Sequence, residues 1–433
     1  MKVVSNFVHS EDHDFNSAIR AFLPLYIEVP FSQTKEKDYK CIVEEGQIVE
    51  EGQVLALCSD DGKKGADIHS PVPGKVISLN QVPLPSGRMG SSIRIRLDGK
   101  FTYLGKKFKE IDWKMYSPSR LAEIFSAKGV VNTFSDCMPL ACQVEESIAK
   151  GGQFLVIRLF DEDPSRVTDS FIASHYIKEV LEGAVIIAAS VYASGIIIVR
   201  NKKAPVAVEG DYIKDFPYYI LDVDAFKYPM GFANNIISMV KKATKGTSER
   251  MFAEINSKSL FIDPETAYDA YNAVVYGIPV EERFVHITGE CLKSAAIFRV
   301  RIGTSLSSLV EQCGSFKKKT SRVIINGMIT GKSVATLDTP ITKEVKAVIF
   351  APYEIFADSV YTPCIRCGKC RSICPENIFP DLLFRHMMGG KPVGEELLRI
   401  ANLCTACSLC NSICPARLPL SQAINILKEN NDE

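Results

Sequence analysis

The sequence has no excess of charge of either sign. Its 51 Lys and Arg residues are balanced by 51 Asp and Glu residues, so the formal net charge is zero. Proteins that bind nucleic acid usually carry a basic excess, and the bulk charge gives no indication of one here. The short lysine runs at 241–242 and 317–319 are interpreted as solvated faces.

The sequence also lacks an export signal and a clear membrane-spanning segment. It turns polar after Val4, before the apolar core of a signal peptide could form. We therefore expect a reducing, cytoplasmic setting for its cysteines. The uncharged stretch from Gly183 to Val199 approaches the length of a membrane span, but Ser190 and Gly195 interrupt it. We interpret it as a buried helix that ends near Gly195, followed by a buried strand over 196–199.

Two common nucleotide-binding fingerprints are missing as well. The chain has no G-x-G-x-x-G, the turn that holds a dinucleotide in an ordinary Rossmann domain. Gly327–Ser333 resembles a phosphate-binding P-loop, but Asn326 stands where that motif requires its first glycine. We therefore expect no nucleotide hydrolysis at this segment.

Cysteine, in contrast, is abundant near the end of the chain. Eight of the 14 cysteines form two runs with the spacing Cys-x2-Cys-x2-Cys-x3-Cys-Pro, at 364–375 and 404–415. This spacing is typical of paired [4Fe–4S] clusters, because three closely spaced thiolates wrap one cube and the fourth cysteine reaches the other cube. One predicted ligand set is Cys364, Cys367, Cys370 and Cys414, and the other is Cys404, Cys407, Cys410 and Cys374. Two one-electron centres side by side predict an electron conduit.

Zinc and disulfide bonds are the alternatives to iron. Structural zinc is usually held by two separated ligand pairs, which a run of four cysteines with a trailing Cys-Pro matches poorly. Disulfide bonds would need an oxidising compartment. Arg366 and Lys369 lie among the first ligands, either as solvated residues or as charges that stabilise a reduced cluster.

Other cysteines and two histidines carry no ligand pattern. The remaining cysteines are predicted to be small buried residues: Cys41, Cys58, Cys137, Cys142, Cys291 and Cys313. His9 and His13 are interpreted as part of a polar terminus rather than as metal ligands.

Changes of pattern divide the chain into four predicted domains. Residues 1–112 are rich in short strands and Gly turns, and they look like the barrel-sandwich hybrid of lipoyl domains. Lys63 and Lys64 depart from the lipoyl pattern, so a modified lysine is not expected. Residues 113–248 alternate helices with apolar runs such as Phe154–Ile157, which favours a Rossmann-like α/β layer.

The last two domains are predicted from turns and caps. Residues 249–350 are interpreted as a smaller α+β unit, with a short helix over 305–313 capped by Ser305 or Thr304. Residues 351–433 contain both cysteine runs, with helices expected at 380–388 and 394–401.

Besides the spacing of the cysteines, several stretches match the motifs of one family. They are Thr362–Cys370, His286–Gly289, Arg299–Thr304 and Thr339–Lys343. With these motifs in this order, nearly the whole chain resembles the C subunit of Rnf-type ion-translocating electron-transport complexes. That resemblance implies a multidomain α/β and α+β fold: a barrel-sandwich hybrid, a flavin- and NADH-binding α/β domain, a β-grasp domain at 249–350 and a C-terminal helical bis-[4Fe–4S] ferredoxin-like domain.

The chain departs from the family in the α/β domain. Lys128–Phe134 stands where the family has a flavin loop of the type G-G-A-G-F-P-T, and Val130 and Val131 resist the left-handed backbone that glycine permits there. Arg158–Ser165 replaces the family's N-G-A-E-C-E-P-Y, with bulky residues where small ones are expected. Lys227–Gly231 keeps the K-Y-P-x-G pattern. These replacements predict that binding of FMN and NAD(H) is weakened or lost.

The resemblance implies an electron-transfer subunit of a membrane-bound, ion-translocating oxidoreductase, peripheral on the cytoplasmic side of the cell membrane. Its partners would be the other subunits and a soluble redox carrier such as ferredoxin or flavodoxin, with no nucleic acid. The eight cysteines would act as ligands and not as catalytic groups, and an NADH-oxidising activity of its own is left open. Two alternatives also stay open: a soluble flavin-linked reductase of the cobalamin-reductase type, and a non-catalytic scaffold that keeps its clusters for folding.

Overall fold

The computed structural model describes residues 15–34, 39–58, 65–209, 212–353, 362–389 and 394–429. His9, His13, Lys63 and Lys64 lie outside these residues. The strands are β1 Ile19–Arg20, β2 Tyr26–Pro30, β3 Tyr39–Cys41, β4 Ile48–Val49, β5 Val54–Cys58, β6 Ile68–His69, β7 Gly74–Pro83, β8 Met89–Leu97, β9 Val131–Asn132, β10 Met138–Pro139, β11 Phe154–Arg158, β12 Gly195–Asn201, β13 Tyr218–Val223, β14 Leu260–Ile262, β15 Glu282–Thr288, β16 Ala296–Arg301, β17 Arg322–Ile325, β18 Lys332–Val334 and β19 Ala347–Ala351. The helices are α1 Pro118–Ala127, α2 Leu140–Lys150, α3 Thr168–His175, α4 Ile177–Ser190, α5 Ala233–Thr244, α6 Pro264–Val275, α7 Leu306–Gln312, α8 Lys369–Ile373, α9 Pro380–Met388, α10 Glu395–Asn402, α11 Leu409–Ile413 and α12 Leu420–Glu429.

The first domain is built from antiparallel strands, of which β7 and β8 are the longest. One sheet has the order β2-β8-β7-β4 and the other the order β3-β5-β6. Their inward-facing side chains, which include Ile27, Leu55, Ile68 and Ile93, form one buried core. The alternation of buried and exposed residues along β7 and β8 is the pattern of strands with one solvated face.

The α/β domain has a parallel sheet with the order β13-β12-β11-β14. Alternate residues of its central strands enter different cores: Leu155 and Ile157 pack with α1, α4 and α6, whereas Val156 packs with α5. The end of α4 at Ser190 and the start of β12 at Gly195 agree with the helix and strand interpreted from the sequence. No helix in the described part of the chain is long and apolar enough to cross a membrane.

The α/β layer extends beyond residue 248, where the sequence pattern placed its end. Strand β14 pairs with β11, and α6 packs closely against α4. A side chain at Gly183 of α4 would clash with the backbone of Ala267 of α6, so the absence of a Cβ permits this close approach.

A mixed sheet with the order β1-β16-β15-β19-β17-β18 forms the third domain, which we call the mixed-sheet domain. Helix α7 packs on it and begins after the cap Ser305, which confirms the helix expected there. The segment that resembles a P-loop connects β17 to β18, which are antiparallel, so it has no strand-to-helix context.

The last part of the chain, residues 362–389 and 394–429, is helical. Helices α9 and α10 lie where the sequence predicts them. Helix α8 packs against α11, and α9 packs against α12. In each pair the second helix begins 40 residues after the first, which is also the interval between Cys364 and Cys404. The two cysteine runs are therefore two copies of one supersecondary unit packed face to face.

Candidate functional site: two cysteine-lined cavities

The eight cysteines of the two runs surround two cavities. Cys364, Cys367, Cys370 and Cys414 line one cavity, which we call the first cavity. Cys404, Cys407, Cys410 and Cys374 line the second cavity. This grouping is the one expected from the spacing, with the last cysteine of each run lining the cavity of the other run. Within the described residues, no three His, Cys, Asp or Glu side chains form a group that could hold a single metal ion.

The loops bend around these cavities through left-handed residues. In the part of the chain that the structure describes, eight residues other than glycine have positive φ, and five of them lie in or just after the cysteine runs. They are Arg366, Asn377, Ala406, Ser408 and Arg417. Such backbone costs on the order of 1–3 kcal/mol per residue and persists only where the surroundings require it. Because Arg366 matches Ala406 and Asn377 matches Arg417 at the 40-residue interval, both loops follow the same path.

Four thiols around each cavity are a donor set that fits an iron–sulfur cluster. Burial raises the pKa of Cys407 to about 11 and also raises the pKa of Cys404 and Cys410. Metal binding to such thiols would release their protons. The amide of Ala406 lies 3.4 Å from Cys404 Sγ, a donor of the kind that tunes cluster potentials.

The second cavity lies against the rest of the protein. The Tyr228 hydroxyl donates a hydrogen bond of 2.7 Å to the carbonyl of Cys407, and Tyr228 is only 2% exposed. Leu409 and Cys407 pack in one apolar group with Tyr228 and Phe232. Asn234 Nδ2 donates to Glu376 Oε1 at 3.0 Å. The α/β domain therefore contacts the second loop through its K-Y-P-x-G segment, and the start of α5 contacts Glu376, which follows the first run and lines the second cavity.

The first loop faces outward instead. Cys367 is exposed, as are Ile365, Arg366 and Lys369, whereas Cys407 and Leu409 at the matching positions of the second loop are buried. The charged side chains around the first cavity have neutral counterparts around the second. The matched pairs are Arg366 and Ala406, Lys369 and Leu409, Arg371 and Asn411, Asp381 and Ser421, and Arg385 and Asn425.

The α/β domain has a second candidate site, at the carboxyl ends of its strands. The chain runs from β11 to β12 and β13 on one side and returns to β14 on the other, so the strand order reverses between β11 and β14. Open α/β sheets bind ligands in the crevice at such a point. Here side chains of the protein itself meet in that crevice.

A buried group of ion pairs occupies part of this crevice. Lys346 Nζ lies 2.6 Å from Asp169 Oδ1 and 2.7 Å from Asp263 Oδ2. Asp263 directly follows β14 and also caps α6 through the amide of Thr266. Burial would raise the pKa of Asp263, but Lys346 and the Thr266 hydrogen bonds hold it well below its usual value. For Asp169 burial outweighs the lysine and raises the pKa to about 6.

Another occupant is Arg158, the last residue of β11. Its side chain is fully buried, and its guanidinium stacks 4.2 Å from the ring centre of Phe134. It donates to the carbonyls of Phe160 at 3.1 Å, Gly231 at 2.8 Å and Phe134 at 3.3 Å, and to Glu162 at 2.9 Å. The three segments where the resemblance implies a flavin site thus close around one arginine, and these residues do not fit a flavin there.

Asp163 joins the same region to the mixed-sheet domain. Its Oδ2 accepts hydrogen bonds from the amides of Ile329 and Thr330, at 2.9 and 3.0 Å. The amide of Met328 donates to Ser165 Oγ at 2.8 Å. Successive amides of this kind form a nest that attracts an anion. In the P-loop-like segment that anion is the carboxylate of Asp163.

The other cysteines agree with a structural role. Cys142, Cys291 and Cys313 are buried, and the remaining three are partly buried. Cys137 Sγ donates to the carbonyl of Gln33 at 3.2 Å. Sequence reasoning missed Tyr228, Arg158 and Lys346 as positioning residues, and the retained K-Y-P-x-G segment is the signal that could have indicated Tyr228.

Comparison with known proteins first defines the N-terminal domain. Residues 9–100 match the model of the RnfC barrel sandwich hybrid domain. The predicted barrel-sandwich hybrid within a mixed α/β multidomain fold is therefore confirmed.

Curated relatives then extend the likeness to most of the chain. The chain is 26% identical over 366 residues to the C subunit of the ion-translocating oxidoreductase complex of Rhodobacter capsulatus, covering 83% of this chain and 69% of that protein. It is 26% identical over 402 residues to the C subunit of the proton-translocating ferredoxin:NAD(+) oxidoreductase complex of Clostridium ljungdahlii, covering 92% of this chain and 86% of that protein. For the C subunit of the Pseudomonas aeruginosa complex the identity is 26%, over 83% of this chain and 46% of that protein. The resemblance to the C subunits of ion-translocating oxidoreductase complexes is confirmed.

Among solved structures, a chain of the NAD+-reducing [NiFe]-hydrogenase in its air-oxidized state is similar at a TM-score of 0.45. Its sequence identity is 14%, and the match covers 72% of this chain and 61% of that chain. This likeness is too weak to support an argument about the site.

Proposed function

We propose that this chain is the electron-transfer subunit of a membrane-bound, ion-translocating oxidoreductase complex and that it holds two [4Fe–4S] clusters. When bound, such clusters supply one-electron carriers close to each other. Cys364, Cys367, Cys370 and Cys414 would hold one, and Cys404, Cys407, Cys410 and Cys374 the other. The observation that carries the proposal is that each of these sets surrounds a single cavity.

The finer assignments belong to the same proposal. The mixed-sheet domain would be a β-grasp domain, and residues 362–429 a two-cluster ferredoxin-like domain. The chain would bind peripherally, on the cytoplasmic side of the membrane, to the other subunits of its complex. Similarity to the C subunits supports this assembly over a soluble reductase of the cobalamin-reductase type. Co-purification with solubilised membranes separates the two, and a scaffold role would be indicated by clusters that never change oxidation state.

The filled crevice supports a chain that holds no flavin and does not oxidise NADH itself. The guanidinium of Arg158 and the ion pairs of Lys346 take up the edge where a mononucleotide would lie. Purified protein incubated with FMN and NADH should then retain no stoichiometric flavin, and NADH should not bleach its clusters. Stoichiometric FMN with rapid bleaching would contradict this part of the proposal.

Pairs of substitutions test the grouping of the cysteines. Anaerobically prepared protein should contain about eight irons per chain. If the fourth cysteines cross, Cys374→Ser combined with Cys404→Ser should remove one cluster and leave about four irons. Cys374→Ser combined with Cys364→Ser should remove both clusters.

The opposite pattern would show that each run binds its own cluster, and about two zinc atoms per chain with no brown colour would end the iron–sulfur proposal. Cys291→Ser, at a buried cysteine outside both sets, is the control and should keep all the iron.

A further inference from the structure

We propose that the first cysteine loop is the docking site for a small acidic protein that carries one electron. This inference rests on the proposed function, since it needs a cluster in the first cavity. It goes further, because it assigns the two cavities different roles. The first would exchange electrons with a diffusing partner, whereas the second would lie inside the chain.

The difference in exposure is the first observation. Both loops have the same spacing and the same left-handed positions, yet they meet different surroundings. The second loop is covered by Tyr228 and Phe232 of the α/β domain. In the first loop Cys367 is exposed and Ile365 is 65% exposed. Since electron transfer between proteins needs close approach of the two centres, only the first loop gives a partner that access.

Charge is the second observation. Arg366, Lys369 and Arg417 are exposed beside the cysteines of the first cavity, and no carboxylate in the described part of the chain forms an ion pair with them. Arg371 and Arg385 add two further cations, and the lining carboxylate is Asp381, which both of these arginines contact. The lining of the first cavity therefore contains one carboxylate, which two arginines pair with, and the exposed cations beside the cysteines are left over. The whole chain has no net charge, so this basic rim is a local feature rather than a consequence of composition.

The composition of the rim resembles that of a transient protein–protein interface. Ile365 lies between Cys364 and Arg366, and Ile413 precedes Cys414 and is 39% exposed. Exposed apolar side chains close to charged ones are typical of such surfaces. A basic rim attracts an acidic partner at long range and orients it, which acts mainly on the association rate. In the encounter one electron would pass from the reduced carrier to a cluster held by Cys364, Cys367, Cys370 and Cys414, with no bond made.

Charge reversal tests the docking site. The probe is an acidic two-cluster ferredoxin, reduced and freed of excess reductant, mixed in a stopped-flow instrument with the oxidised full-length protein. The wild-type rate constant should fall as salt is added. Arg366→Glu combined with Lys369→Glu should lower the low-salt rate constant at least about 10-fold and abolish or reverse the salt dependence.

Two controls accompany it. Arg366→Lys combined with Lys369→Arg keeps the charge and should restore the wild-type salt dependence. Lys317→Glu combined with Lys319→Glu makes the same change of charge at exposed residues of the mixed-sheet domain and should leave the rate constant unchanged.

The outcomes separate this inference from the proposed function. Protein without iron would overturn the proposed function itself. Protein with about eight irons and an unchanged rate in the charge-reversed variant would overturn the docking site alone. If charge reversal leaves the oxidation of ferredoxin intact but releases the chain from solubilised membranes, the rim binds another subunit, and the inference is also overturned.

Discussion

Replacing Lys346 by methionine tests whether the ion pairs in the crevice stabilise the α/β domain. Lys346 contacts Asp169 and Asp263 at 2.6 and 2.7 Å, and all three side chains are buried. Without Lys346, Asp169 keeps its longer contacts to Arg166 and Arg158, at 3.7 and 3.9 Å, and loss of one partner of a buried ion pair costs up to about 3–5 kcal/mol. At roughly 2–4 °C per kcal/mol for a domain of this size, the unfolding midpoint should fall by about 6–20 °C.

The pH dependence of this variant follows from Asp169. Its pKa is already raised to about 6 by burial even with the lysine present, and loss of Lys346 should raise it further. A carboxyl whose pKa is higher in the folded state than in the unfolded state stabilises the fold at low pH, and that stability is lost as pH rises through the folded pKa. Lys346→Met should therefore be less damaging at pH 5 than at pH 8.

Thermal unfolding followed by circular dichroism, under argon and at one scan rate, measures the effect. Lys346→Met combined with Asp169→Asn should be more stable than Lys346→Met alone, because Asp263 keeps its hydrogen bonds from Thr133 and Thr266. The control is Lys343→Met, since Lys343 is buried but donates to the carbonyls of Asp67 and Gly129 rather than to a carboxylate. Equal midpoints for Lys346→Met and the wild type at pH 8, or an equal loss at pH 5 and pH 8, would refute the reasoning.

Three further substitutions test other contacts. Tyr228→Phe leaves the buried carbonyl of Cys407 without its 2.7 Å donor, so the free energy that stabilises the second loop should fall by about 1–3 kcal/mol. An EPR-monitored redox titration should show a shifted potential for one cluster only. Equal shifts in both clusters would contradict this. Asp163→Asn removes the charge that the amides of Ile329 and Thr330 bind, so the attachment of this segment to the α/β domain should weaken by about 1.5–3 kcal/mol. Hydrogen exchange should then show faster exchange of these amides and unchanged exchange in α7. Gly129→Ala should destabilise the protein by more than about 1 kcal/mol, because φ at this residue is +68° and a Cβ would meet the Asp67 carbonyl; an unchanged denaturation midpoint would show that the backbone relaxes.

Features that depend on neighbours in the chain could be predicted from the sequence. The cap Ser305 and helix α7 follow from local hydrogen bonding, and the amphipathic pattern of 380–388 and 394–401 locates α9 and α10 within a residue or two. The apolar run of β12 identifies a buried parallel strand. The expected grouping of the cysteines also rests on a local signal, since three of each set lie within seven residues.

Features that depend on distant parts of the chain could not be predicted in this way. Arg158 and Lys346 would ordinarily be assigned to the surface, since such residues are rarely buried unless paired. Lys346 meets Asp169 across 177 positions of the sequence, and Tyr228 meets Cys407 across 179. The predicted end of the α/β layer at residue 248 leaves out strand β14, because only its pairing with β11 reveals its sheet. Periodicity and spacing carry no information about such partners.

The two cysteine loops have the same backbone path, but one packs against the α/β domain and the other faces outward. Because each set takes its last cysteine from the other run, the two cavities are held together as one unit and neither can move away from the other. The Tyr228 contact fixes one side of that unit to the α/β domain. Asp163 fixes the 327–330 segment, whose Ile329 packs against the same loop, to the same domain. With the inner side tied at these points, the loop at Cys367 is the side of this unit that faces outward, which is where the proposed docking site lies.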